Sequence, residues 1–296
     1  MTDSAEYETT TVLSGHTFLE GPRWHDGRIW VSDLYTKRVL SANEDGSDLR
    51  VEASLSDQPS GLGWLPDGRL VVMSMLDHAL LRREPDGAVV VHADLAGKLV
   101  GWGNDIVVDP ESGATYVGHF GFDLFAGDEL RSTSIWRVGP DGTVTEAADG
   151  LYFPNGMVIV DGVLRVNESW ANRTTAFDIG DDGALSNRRV WAKYGEPSDA
   201  TDPFAALGDM VVAPDGSALD SEGALWVADF AHGRVVRVLD GEIVDEVSPG
   251  TGVFACALGG SDGRTLFVCT APSFDPEERK ADPKSELVAV RVDVPA

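Results

Sequence analysis

Four oxygen-bearing side chains stand at what reads as one position of a repeated motif: Glu20 in LEGPRW, Asn104 in GNDIVVD, Asn155 in FPNGMVI and Asp215 in PDGSALD. Each opens a short apolar run, and a glycine-marked turn and a second run follow, as in GRIWVSD, SGATYVG, DGVLRVNE and EGALWVAD. Two further segments fit the register with small residues there, Ser60 in PSGLGWLPDGRLVVMS and Ala255 in FACALGGSDGRTLFVC. If such repeats wrap around an axis, equivalent positions converge on it, and two carboxylates with two amides make an oxygen cage. That chemistry suits one divalent cation, Ca2+ first, with Mg2+ or Mn2+ accepting similar ligands and Zn2+ more often taking His or Cys. Taken singly, Asn and Asp are ordinary turn residues that bond their own backbone. Four in one register of different repeats favour a metal site.

The elements that must position these residues are legible from the spacing. The starts at Glu20, Ser60, Asn104, Asn155, Asp215 and Ala255 are 40, 44, 51, 60 and 40 residues apart. Periods of about 40–50 residues with several strands each indicate propeller blades. The expected fold is all-β, a six-bladed β-propeller with four antiparallel strands per blade around a central channel, as a single domain over residues 1–296. Asp-Gly pairs punctuate the chain at Asp26, Asp67, Asp86, Asp141, Asp161, Asp182, Asp240 and Asp262, and favour tight hairpins because glycine accepts positive φ at little cost. Runs such as GMVIV read as strands packed on both faces, whereas the alternating runs ALLRRE and RVVRVL fit strands nearer the rim. Thr9–Leu13 has no repeat of its own and is expected to complete the last blade as its outer strand, removing open edges. Two stretches exceed the template, Gly121–Thr133 and Gly195–Met210, and such insertions often cover a site.

Composition narrows the partners. With 296 residues and 43% hydrophobic content the chain can bury a large core. A formal net charge of -26 argues against nucleic acid and anionic membrane surfaces, and no apolar run approaches a membrane span. Cys256 and Cys269, the two cysteines, fall in apolar runs and read as buried free thiols. The polar, acidic start MTDSAEYETTT is no signal peptide, so a cytoplasmic location is expected.

LEGPRW, GNDIVVD, FPNGMVI and PDGSALDSEGALWVAD together resemble the regucalcin/gluconolactonase family of six-bladed propellers, over nearly the whole chain from Glu20 to the last blade. The resemblance implies a calcium- or zinc-dependent lactonase in which a Glu, an Asn and an Asp bind the metal. Those roles carry onto Glu20, Asn155 and Asp215, and the Asn of the family's Asn-Asp motif, beside substrate and metal, matches Asn104. One departure matters. Where the sugar-lactone hydrolases of this family place an Arg two residues before that Asn, this chain has Trp102. An aromatic ring offers stacking and apolar contact in place of a forked cation. Phe120, Phe122, Phe125, Phe153, Trp170, Phe204 and Phe254 lie in adjoining motifs or insertions, most of them expected in the core. The balance moves the expected substrate from aldonolactones toward a less polar cyclic or aromatic ester.

The expected activity is therefore metal-dependent opening of a small-molecule lactone or related cyclic ester. The metal polarises the carbonyl, and Asp215 takes the proton of the attacking water, with Glu20 a ligand. Two alternatives stay open: another metal-dependent ester or phosphotriester hydrolysis or an isomerisation at the same site, and a non-enzymatic calcium- or ligand-binding propeller. His119 in VGHFGFD ends the second run of its repeat and is a candidate substrate contact. Glu168, at the matching place in VNESW, reads as a satisfied polar residue bonding Asn172 or Arg173. His78 and His232 read as solvated hairpin ends. Gly61-Leu62-Gly63 and Gly101-Trp102-Gly103 sit in strands rather than strand–helix turns, which argues against dinucleotide binding, and no nucleophile elbow or His-Glu-x-x-His helix occurs.

Overall fold

The computed structural model describes residues 7–296. Twenty-four strands form six four-stranded sheets, and the only helices among the described residues are Pro203–Leu207 and Pro276–Ala281. Each sheet is an antiparallel blade, and the fold is a six-bladed β-propeller. The blades open on the strands Leu19–His25, Pro59–Trp64, Gly103–Val108, Pro154–Val160, Pro214–Leu219 and Gly252–Gly259, numbered here as blades 1 to 6. Strand Thr9–His16 pairs with Ser285–Arg291 as the fourth strand of blade 6, as the unrepeated Thr9–Leu13 run requires.

The chain divides into two compact units of three blades. One holds Leu55–Pro214, with blades 2 to 4, and the other the described residues up to Ser54 with Asp215–Ala296, with blades 1, 5 and 6. Within each unit the core lies between neighbouring blades. Met73, Leu80, Ile106 and Val117 fill the space between blades 2 and 3, and Tyr116, Met157, Leu164 and Val166 that between blades 3 and 4. In the other unit Leu19, Ile29, Phe267 and Cys269 join blades 1 and 6, and Trp226, Val235, Cys256 and Val268 join blades 5 and 6. Both thiols are free and fully buried, and burial raises both well above the usual thiol range. Second strands are buried along almost their whole length, while fourth strands such as Arg50–Ser54 and Leu185–Lys193 are largely exposed.

The Asp-Gly pairs resolve into two turn chemistries. At 26–27, 161–162 and 240–241 both residues have positive φ, the conformation of a two-residue type I′ hairpin. At Asp67, Asp86, Asp141, Asp182 and Asp262 glycine alone is left-handed, and the carboxylate accepts the amide N–H two residues on.

Candidate functional site

In five of six blades the register residue is the second residue of the first strand: Glu20, Ser60, Asn104, Asn155 and Asp215. Blade 6 departs from this, because Ala255 is fourth in its strand and follows a register shift at Val253. In blade 1 a register shift follows Glu20, between Glu20 and Arg23, and in blades 2 to 4 the shift spans the register residue itself, between Pro59 and Leu62, Gly103 and Ile106, and Pro154 and Met157. Such an irregularity takes the residues at the shift out of the strict alternation of the ladder and re-aims their side chains.

Within Leu55–Pro214 the first strands of blades 2, 3 and 4 are neighbours. A Cβ at Gly61 would lie 2.4 Å from the Ile106 nitrogen and 2.6 Å from Asp105 Oδ1, so glycine makes this approach possible. Asn104 and Asn155 are both buried. Asn104 Nδ2 is 3.5 Å from the Pro154 carbonyl, which can only accept, so the amide nitrogen faces blade 4. The Asn155 amide is fixed by a longer argument. Ser169 Oγ donates its one proton to the Pro214 carbonyl at 2.8 Å, leaving lone pairs to receive Asn155 Nδ2 at 3.2 Å. The nitrogen of Asn155 is thereby committed, and its Oδ1 accepts no hydrogen bond among the described residues.

In the other unit Glu20 stands opposite Ser32, and its Oε2 accepts the Gly21 N–H at 2.9 Å. Asp215 is buried at the start of blade 5, and the next residue, Gly216, presses on blade 6, where an added Cβ would meet Ala255 Cβ at 2.6 Å. After burial itself, the Glu20 carboxylate, Cys256 and then Asp215 all push the Cys269 thiol upward. Among the described residues no three His, Cys, Asp or Glu side chains gather as a cluster. The donors available at the register positions are thus carboxylate and amide oxygens, the chemistry of a hard cation rather than of a Cys/His zinc site. The Ser169 hydroxyl, one residue past strand Val163–Glu168, carried no sequence signal, since a lone Ser after a strand is unremarkable in type and spacing.

If Ser169 orients a metal ligand, Ser169→Ala frees the Asn155 amide to rotate. The expected result is a ten- to hundredfold loss of divalent-cation affinity by calorimetry, on the order typical for residues that orient ligands, with Ser169→Thr recovering most of it. Unchanged affinity would remove Ser169 from the site.

The remaining candidates surround Asn104. Trp102 stacks on Phe120 at 5.8 Å and meets Phe125 at 4.7 Å. Phe120 stacks on Phe153 at 4.1 Å, and Phe153 meets Trp170 at 4.5 Å with the rings tilted. Phe153 is held at φ 55, an unusual conformation for a bulky residue that this packing maintains. His119 is 1% exposed: its Nδ1 lies 3.0 Å from the Val100 carbonyl and its Nε2 2.8 Å from Thr133 Oγ1. Burial lowers its pKa and keeps the ring neutral near neutral pH. His78, expected to be solvated, instead places Nε2 2.7 Å from the Gly101 carbonyl. Two imidazoles therefore pin the segment that carries Trp102. His232 is exposed, as expected, and also bonds the buried Asp229 carboxylate. Glu168 is fully buried on Arg173, Thr175 and the Tyr152 amide; of the two partners expected for it, Arg173 is the one found. The first insertion is a loop and the second carries the short helix Pro203–Leu207; the Leu130 amide on the Thr201 carbonyl at 2.7 Å ties them together, and Trp170 Nε1 donates to the Pro203 carbonyl in the second. Asn172 closes the neck of that second loop, donating to Glu196 and Asp209 carbonyls and accepting the Val211 and Val212 amides.

This geometry can be set beside known proteins. The sequence pattern of the SMP-30/gluconolactonase/LRE-like region matches residues 18–272. The chain is 28% identical over 258 residues to pentonolactonase XacC of Haloferax volcanii, covering 85% of this chain and 81% of that protein. It is 29% identical over 174 residues to regucalcin of Danio rerio, a match that spans 57% of this chain and 54% of that protein. A solved gluconolactonase from Xanthomonas campestris superposes with a TM-score of 0.74 at 25% identity, covering 98% of this chain and 91% of that one.

Proposed function

The chain belongs to the SMP-30/gluconolactonase/LRE-like family, and we propose from this that it is a lactonase that opens a lactone or related cyclic ester by metal-dependent hydrolysis. Glu20, Asn155 and Asp215 would hold one divalent cation, Ca2+ by preference for an all-oxygen set, with Asn104 beside it and the substrate. The observation that carries the metal part of this reading is the commitment of the Asn155 nitrogen to Ser169, which leaves a carbonyl oxygen for a cation. A bound cation would supply Lewis-acid polarisation of the ester carbonyl.

The chain's own groups have separate tasks. Asp215 takes the proton of the attacking water, acting as general base. Glu20 serves as ligand. Asn104, its nitrogen turned to Pro154, offers its oxygen to a substrate hydroxyl or water. Trp102 gives the substrate a flat apolar wall. His119, buried and doubly bonded, acts through the segment it pins, setting where Trp102 stands.

The test is acid release from sugar-derived and apolar lactones before and after chelation, with single metals restored. Hydrolysis that is lost on chelation and returns with one metal supports the reading. Turnover that survives complete chelation would refute metal dependence, and metal binding without turnover of any lactone would favour a binding protein.

A further inference from the structure

Five aromatic residues of Leu55–Pro214, Trp102, Phe120, Phe125, Phe153 and Trp170, form one continuous stack of stacked and tilted rings with a direction. Its inner end is buried, at Trp170, Phe153 and Phe120. Its outer end is Trp102, partly exposed, and Phe125, 40% exposed. The stack is interleaved with the oxygen-bearing residues along the chain. Trp102 precedes Asn104 by two positions, Phe153 precedes Asn155 by two, and Trp170 follows Ser169. Neither end is loosely held. The Val100 and Gly101 carbonyls are fixed by His119 and His78, and the Phe125 turn is closed on Asp123, whose carboxylate accepts the Phe125 and Ala126 amides. No Lys or Arg lies over Trp102 among the described residues.

From this juxtaposition we infer that Trp102 and Phe125 form the subsite for an aryl substituent, so that the preferred substrate is a lactone bearing a flat aromatic ring. A ring of that kind extends the stack at its open end and buries its own surface against pre-positioned partners. The hydroxyls of an aldonolactone would instead lose water against two aromatic ring faces, which replace little of the hydrogen bonding given up. The lactone half of this inference rests on the lactonase reading; the aryl half rests on the stack alone.

The experiment compares kcat/KM for phenyl-substituted δ-valerolactone and glucono-δ-lactone, each referred to unsubstituted δ-valerolactone. It is run on the metal-replete protein and on Trp102→Arg and Phe125→Ala. The corresponding phenyl-substituted lactam, which is not hydrolysed, is titrated in parallel by tryptophan fluorescence. We expect the phenyl lactone to be preferred over the sugar lactone by at least about tenfold, and each variant to shrink that preference about tenfold. A preference for the sugar lactone, or one that neither variant changes, would overturn the inference. Absence of any lactone turnover, with lactam binding that both variants weaken, would remove the lactonase reading and keep the aryl subsite. Lactam binding that neither variant changes, or no lactam binding at all, would remove the subsite.

Discussion

Asp215→Asn lowers kcat/KM on the best lactone by about three orders of magnitude or more, even with metal in excess. The size follows from two losses at one side chain. Loss of general-base catalysis alone costs about 10²–10⁴ in rate. In the proposed cation site the same replacement also puts a neutral amide in place of one of two carboxylates. The exchange keeps shape, which matters because the following residue, Gly216, already packs against Ala255 with no room for a Cβ. A fall in rate with an unchanged melting curve therefore reports chemistry rather than misfolding. Glu20→Gln provides the contrast. Assigned as ligand only, it loses metal affinity, and excess metal restores much of its turnover. Saturation with metal followed by steady-state kinetics separates the two. If Asp215→Asn retains turnover within tenfold of the parent, Asp215 is not the base.

Glu168→Ala has the largest expected effect on stability, a loss of about 3 kcal/mol, at the lower end of what breaking a buried ion pair costs. The carboxylate is fully buried and accepts from Arg173 through both oxygens, from the Thr175 hydroxyl and from the Tyr152 amide. Removing it leaves that amide and hydroxyl without their acceptor. Arg173 is partly exposed and can turn to water, which keeps the loss from being larger. Denaturant unfolding of the parent and variant measures it. A change below about 1 kcal/mol, with lost turnover at full metal, would make Glu168 a functional residue rather than a structural one.

The repeat was readable because its signals are local. Asp-Gly pairs set turn chemistry through their own backbone, and a strand without a repeat, Thr9–Leu13, has only an incomplete blade to join. The register of Glu20, Asn104, Asn155 and Asp215 was equally local, since each opens its strand in the same way. What escaped notice depends on contacts between blades. Ser169 is significant only because a carbonyl at Pro214 takes its proton and an amide at Asn155 takes its lone pair, 45 residues ahead and 14 residues behind it. His78 reads as a hairpin tip until the Gly101 carbonyl 23 residues away is placed against it. Ala255 was assigned to the common register by motif, yet its strand begins two residues earlier than that register requires, at Gly252, and the ladder shifts between Val253 and Ala255. Such shifts obey packing against the neighbouring blade, which no single motif encodes.

Blade 6 takes three of its strands from the C-terminal part of the chain and its fourth from Thr9–His16, with Thr9 opposite Val290. During synthesis the early strand leaves the ribosome long before its partner exists, and it spends that time as an unpaired β-segment. Closing so distant a contact is slow, because the entropy of the intervening loop is lost before the pairing is gained. The final stitch of this fold thus waits on Ser285–Arg291. The newborn chain is most open to proteases and to pairing with its neighbours in the interval just before that stitch is drawn tight.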